Sequence, residues 1–105
     1  MTSKEFIYGL PGKVPAAAIE GLNTTFHFDL DGEQGGQYTI SVADSKVAVS
    51  DGLNGEASCV VKTSEDNFMQ LIKGDLNPMM AILTGKLKIS NQGEMLKYAK
   101  LFGLM

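Results

Sequence analysis

Between residues 24 and 61, apolar and polar side chains alternate in short runs. In "NTTFHFDLDG", Phe26, Phe28 and Leu30 share one face of an extended chain, while Thr25, His27 and Asp29 share the other. A period of two predicts a strand with one buried face. After a loop from Gly32 to Gly36 comes "GQYTISVA", where Tyr38, Ile40 and Val42 oppose Gln37, Thr39 and Ser41. Asp44-Ser45 can turn the chain, and "KVAVSDG" sets Val47 and Val49 on one side. These strands predict an antiparallel meander with one wet face. "EASCVVKT" predicts a fourth strand, with Ala57, Cys59 and Val61 inward.

At Ser64 the period changes. Ser64 is a suitable N-cap, and Glu65 and Asp66 meet the positive end of the helix dipole. Phe68, Leu71 and Ile72 follow at i, i+3 and i+4, a core-facing stripe, and Lys73-Gly74 closes the helix. Asn77-Pro78 then starts a second helix and Gly85 ends it. Its centre is the unbroken apolar run Met79-Met80-Ala81-Ile82-Leu83, which requires apolar neighbours on every side. "KLKIS" predicts a fifth strand, Leu87 and Ile89 inward, Lys86 and Lys88 outward. Asn91 and Glu94 have the spacing of a capping box for a last helix carrying Met95, Leu96, Tyr98, Ala99, Leu101 and Phe102. At the other end, "KEFIYGL" predicts a helical turn or two stopped by Pro11 and Gly12. "VPAAAIEGL" predicts a short helix with Pro15 in its first turn.

The order is helix, four strands, two helices, strand, helix. It predicts a single α+β domain over residues 1–105, a five-stranded, mostly antiparallel sheet covered on its apolar face by helices. No run of 18 apolar residues spans a membrane, and the N-terminus lacks a signal-peptide pattern, so a cytoplasmic location is expected. The net charge is -3 and there is no arginine, which argues against nucleic-acid partners. Charge is uneven: residues 1–72 carry four lysines and ten acids, and residues 73–105 five lysines and two acids.

Little in the chain suggests catalysis. The single histidine, His27, falls on the polar face of its strand and reads as a solvated surface residue. The single cysteine, Cys59, reads as a small buried hydrophobe on the opposite face. One thiol and one imidazole make no metal cage, and neither Gly-Lys pair has the spacing of a phosphate loop. No enzyme activity, cofactor or metal is expected. What remains is apolar surface. Strand parity and helix stripes single out Phe26, Phe28, Tyr38, Ile40, Phe68, Ile72, Met79, Met80, Leu83, Leu87, Leu96 and Phe102. The same features describe either a plain core or the lining of a ligand cavity.

The stretch "GDLNPMMAILTGKLKI" resembles the sterol carrier protein 2 (SCP-2) family: Gly74, Asn77-Pro78, an apolar helix, then Gly85-Lys86-Leu87-Lys88-Ile89. "SEDNFMQLIKG" is similar to the family's preceding helix, and "FHFDLDGEQGGQYTISVADSKVAVSDG" to its first three strands. The resemblance runs over about residues 16–102. It departs at Thr84, where many animal members have Gln, and at Ser90-Asn91, where Gly-Asp or Gly-Asn is usual. It implies an apolar tunnel between sheet and helices, lined by the residues singled out above. It also implies non-catalytic binding and transfer of a long-chain lipid such as a fatty acid or fatty acyl-CoA. The alternative is an interaction or dimerisation module of the same fold with no bound lipid. The expected partners are a lipid ligand and, transiently, a membrane surface, for a monomer or homodimer. Lys86, Lys88, Lys97 and Lys100 either dock an anionic lipid surface, contact an acyl-CoA phosphate, or form a plain solvated face.

Overall fold

The alternating segments become β1 (Thr24–Asp31), β2 (Gly36–Ala43), β3 (Lys46–Asp51), β4 (Cys59–Ser64) and β5 (Leu87–Ile89) in a computed structural model that describes residues 2–99 and 101. They form one sheet in the order β3-β2-β1-β4-β5. The pairs β1–β2, β2–β3 and β4–β5 are antiparallel; β1–β4, at the centre, is parallel. Asp44 and Ser45 both take positive φ, 53° and 59°, the conformation of a two-residue hairpin whose twist matches the strands.

Among the described residues, four α-helices accompany the sheet: α1 (Ser3–Lys13), α2 (Glu65–Lys73), α3 (Pro78–Leu83) and α4 (Gln92–Tyr98). None of these helices is long and apolar enough to cross a membrane. Helix α1 runs past Pro11 rather than stopping there. Pro11 has no N–H to donate into the helix, but burial of Phe6, Ile7 and Leu10 holds the chain, and the Val14 N–H closes on the Leu10 carbonyl. The stretch after it is a single 3-10 turn, Ala16–Ile19, with Pro15 as its N-cap. Only Ile19 of that turn is buried, too little to support a full helix.

The inner sheet face is the expected one. Phe26, Phe28, Leu30, Tyr38, Ile40, Cys59 and Val61 are all buried there, with α1, α2 and α4 above them. Phe68 is the hinge of this packing, edge-on to Phe6 at 5.9 Å and to Phe28 at 5.8 Å. Tyr98 of α4 stands edge-on to Phe26 at 5.5 Å.

The opposite face is not uniformly wet. His27 is buried, 8% exposed, and so is its cross-strand partner Thr39. The loop from Gly52 to Ser58 folds over them. Nε2 of His27 lies 3.0 Å from the Asn54 carbonyl, the Asn54 N–H donates to Oγ1 of Thr39, and that hydroxyl donates to the Gly52 carbonyl. Ser58 N–H donates to the Thr25 carbonyl. A polar strand face predicts solvent, but here a loop reached through long-range hydrogen bonds takes the place of water.

Candidate functional site

The cap chemistry of the second half holds. The Ser64 hydroxyl accepts from the Asn67 N–H, and Gly74 ends α2 at φ 82°. Oδ1 of Asn77 accepts from the N–H groups of both Met79 and Met80, Pro78 is the first helical residue, and Gly85 turns the chain out at φ 76°. Thr84 is occupied within α3, its hydroxyl donating to the Met80 carbonyl at 2.8 Å. At α4, Asn91 accepts from the Glu94 N–H, but Glu94 does not reach back to complete a box. Its carboxylate instead accepts from Thr24 Oγ1 at 2.6 Å and lies 3.8 Å from Lys97 Nζ. That exchange ties α4 to β1. Asn91 also donates through Nδ2 to the Ser58 carbonyl and accepts from the Cys59 thiol on its own carbonyl. Burial pushes the Cys59 thiol above its ordinary range, partly countered by that hydrogen bond.

These elements enclose an apolar cavity of about 300 Å³. Val61, Leu87 and Ile89 of the sheet form its floor, and Phe68 and Leu71 of α2 one wall. Pro78, Met79 and Ile82 of α3, with Asn77 before them, form a second wall. Gln92, Met95 and Leu96 of α4, with Ala99 after them, close the third. Exposure rises along the cavity: Val61, Phe68, Leu71, Met95 and Ala99 are buried, whereas Met79 and Leu96 are 58% and 60% exposed. Among the described residues the polar lining side chains are the amides Asn77 and Gln92, both exposed, and none of the described lining residues is charged.

Four of the residues singled out by sequence line this cavity: Phe68, Met79, Leu87 and Leu96. Phe26, Phe28, Tyr38 and Ile40 lie in the filled core instead, because α1 and the inner side of α2 occupy the space above them. Ile72 is half-buried against the core edge, outside the lining. Phe102 lies outside the described residues. Met80 and Leu83 point away from the cavity and are 54% and 76% exposed. The apolar α3 is therefore not surrounded by protein: Ala81 is fully buried, Pro78 and Ile82 are half-buried, Met79 borders the cavity, and Met80 and Leu83 face outward. A helix of six residues resting on a three-residue strand can bury only one face. Lys88 projects from the sheet face opposite Leu87, away from the cavity, beside its cross-strand partner Lys62. Sequence reasoning missed Val61, Leu71, Ile82, Ile89, Met95 and Ala99. All are apolar positions that periodicity marks as inward, but nothing in periodicity separates cavity from core.

A family model, the SCP-2 sterol transfer family, matches residues 10–105. The chain belongs to this family. Among SCP-2 relatives, hydroxysteroid dehydrogenase-like protein 2 of Bos taurus is 30% identical over 89 residues, covering 83% of this chain and 21% of that protein. The chain thus spans about a seventh to a quarter of the length of the curated relatives it matches. The fold recurs in the sec-alkylsulfatase Pisa1 from Pseudomonas sp., with a TM-score of 0.79 and 20% identity, covering all of this chain and 16% of that one. It recurs also in palmitated SCP2L2 from Aedes aegypti, with a TM-score of 0.72 and 16% identity, covering 97% and 95% of the two chains.

Proposed function

We propose that this protein binds a single acyl lipid, a fatty acid, fatty acyl-CoA or related molecule, in the cavity between β4, β5, α2, α3 and α4, and can carry it between lipid surfaces. The observation that carries this reading is the lining: about 300 Å³ bounded by apolar side chains, no charge among the described lining residues, two amides at the rim. Water gains few hydrogen bonds in such a space, whereas each methylene placed there contributes about 0.8 kcal/mol. A dozen methylenes gain on the order of 10 kcal/mol gross, enough for micromolar or tighter binding after association and ordering costs. Membership of the SCP-2 sterol transfer family and the likeness to a palmitated neighbour support the reading. Phe68, Met79, Leu87 and Leu96 are the proposed contacts, with Met95 and Ile82 beside them. Transfer requires docking at a lipid surface. Met79 and Leu96 belong both to the rim and to the exposed apolar face that Met80 and Leu83 continue.

No catalytic step is proposed. His27 is engaged by Asn54 under its loop, and Cys59 faces the other side of the sheet with its thiol on the Asn91 carbonyl. The reading is tested by mass spectrometry of an organic extract of the purified protein and by titration with palmitate and palmitoyl-CoA. A retained lipid, or saturable binding at one site per chain, is expected. A clean extract together with no binding would overturn it. The second reading, a docking module without ligand, is favoured by the same exposed apolar face. It requires a dimer or a partner complex, seen by size exclusion, that covers Met80 and Leu83 and yields no extractable lipid.

A further inference from the structure

We infer that the cavity limits its ligand to one unbranched chain of about twelve buried carbons and rejects fused-ring sterols. The inference rests on the acyl-lipid reading above and names the size and shape class that the site accepts. An apolar cavity of about 150 Å³ takes one benzene, six carbons. The present cavity, about 300 Å³, has room for roughly twice as many. The fused rings of a sterol alone hold more carbons than that, in a rigid plate that cannot bend to fit as a chain can.

The cavity has a firm inner end. Phe68 is 1% exposed and forms part of the wall, while its ring packs on Phe6 and Phe28 at 5.9 and 5.8 Å. Behind those rings the core is filled, so a chain cannot thread further without unpacking three aromatics. Val61, Leu71 and Ala99, all at most 5% exposed, narrow the same end. The outer end differs. Asn77 has its Oδ1 committed to two backbone N–H groups, so its NH2 faces outward as a donor, and the Gln92 amide makes no hydrogen bond to another described residue. Both donors suit a carbonyl or carboxyl oxygen at the head of the chain, and neither supplies a charge. The methyl end therefore stops against Phe68 and the head lies between the amides. Carbons beyond the twelfth emerge onto the Met79–Leu96 rim, where burial is incomplete.

The test is a binding series of saturated fatty acids from eight to eighteen carbons, with cholesterol, measured by displacement of a fluorescent acyl probe. Affinity should rise about fourfold per methylene up to about twelve carbons and then flatten, with cholesterol failing to displace. Ala99→Leu, which fills the inner end, should bring the break down by about three carbons. Phe68→Leu should move it up by a similar number, and circular dichroism checks that each variant folds. An undiminished rise to eighteen carbons, a break that neither variant moves, or displacement by cholesterol overturns the size limit while leaving lipid binding intact. No binding by any chain length overturns both readings.

Discussion

His27 shows how far a residue's surroundings can depart from its strand parity. Its ring lies under the Gly52–Ser58 loop, with Nε2 held at the Asn54 carbonyl, and Thr39 completes the same small network. Removing the ring leaves a carbonyl without its donor and a gap beneath the loop. His27→Ala is therefore expected to cost about 1–3 kcal/mol in urea unfolding and to speed amide exchange at Asn54 and Ser58. A second residue-scale expectation concerns alkaline pH. Cys59, Tyr38 and Tyr98 are pushed above their ordinary values chiefly by burial, and Tyr8 chiefly by its hydrogen bond to Asp51. Each folded value lies above the unfolded one. The associated stability is whole below the ordinary values of 9.0 for the thiol and 10.0 for the phenols, and is lost as pH rises through the folded values. The urea midpoint should fall from pH 8 to pH 11, and less steeply in Tyr8→Phe. A flat or rising midpoint would contradict the assignment.

At the scale of elements, α3 is the least anchored helix and the most informative. Its ends are set by Asn77, Pro78 and Gly85, but packing holds it only through Ala81 and Ile82. Leu83→Ser and Met80→Ser should change stability by less than about 0.5 kcal/mol, because both side chains are already in solvent. Ala81→Leu, at a fully buried position, should cost about 1–3 kcal/mol by overpacking. The same two serine substitutions should lower association with anionic vesicles in a sedimentation assay if α3 is the docking element. Unchanged association would remove α3 from that role. The element boundaries were largely legible in sequence because caps are local: one side chain and a backbone N–H two or three residues on decide them. The exceptions are the stretch after Pro15, a 3-10 turn rather than a helix, β4, which starts at Cys59 and leaves Ala57 in the loop before it, and α1, where the expected stop at Pro11 was outweighed by burial of Phe6, Ile7 and Leu10, contacts formed with distant elements.

For the whole molecule the cavity sets the terms. A dry void of about 300 Å³ would cost roughly 7 kcal/mol at about 24 cal/mol per Å³, comparable to the entire stability of a domain this size. An occupant of the cavity should therefore stabilise the fold strongly. A ligand at a hundredfold excess over its Kd should add about 2.7 kcal/mol, a Tm rise of roughly 10–20 °C by differential scanning calorimetry. Fatty acid that leaves Tm unchanged would indicate that it does not enter the native cavity. The same fold occurs as one part of a much longer chain in the sec-alkylsulfatase.

Sequence by itself determined the order of elements, the inward and outward faces of each strand, the helix ends at Ser64, Asn77 and Gly85, and the burial of Cys59. These follow from periods of two and 3.6 and from caps, all of which act over a few residues. Tertiary structure alone decided the parallel pairing of β1 with β4, the loop that covers His27, and the division of one continuous apolar set into filled core and open cavity. Phe28 and Phe68 are each marked inward by the period of their own element, yet one is enclosed by protein on all sides and the other faces the space beside α4. The difference lies in where α1 and α4 come to rest on the sheet. That placement depends on contacts between residues dozens of positions apart, such as Thr24 with Glu94 and Ser3 with Glu65, which no local pattern encodes.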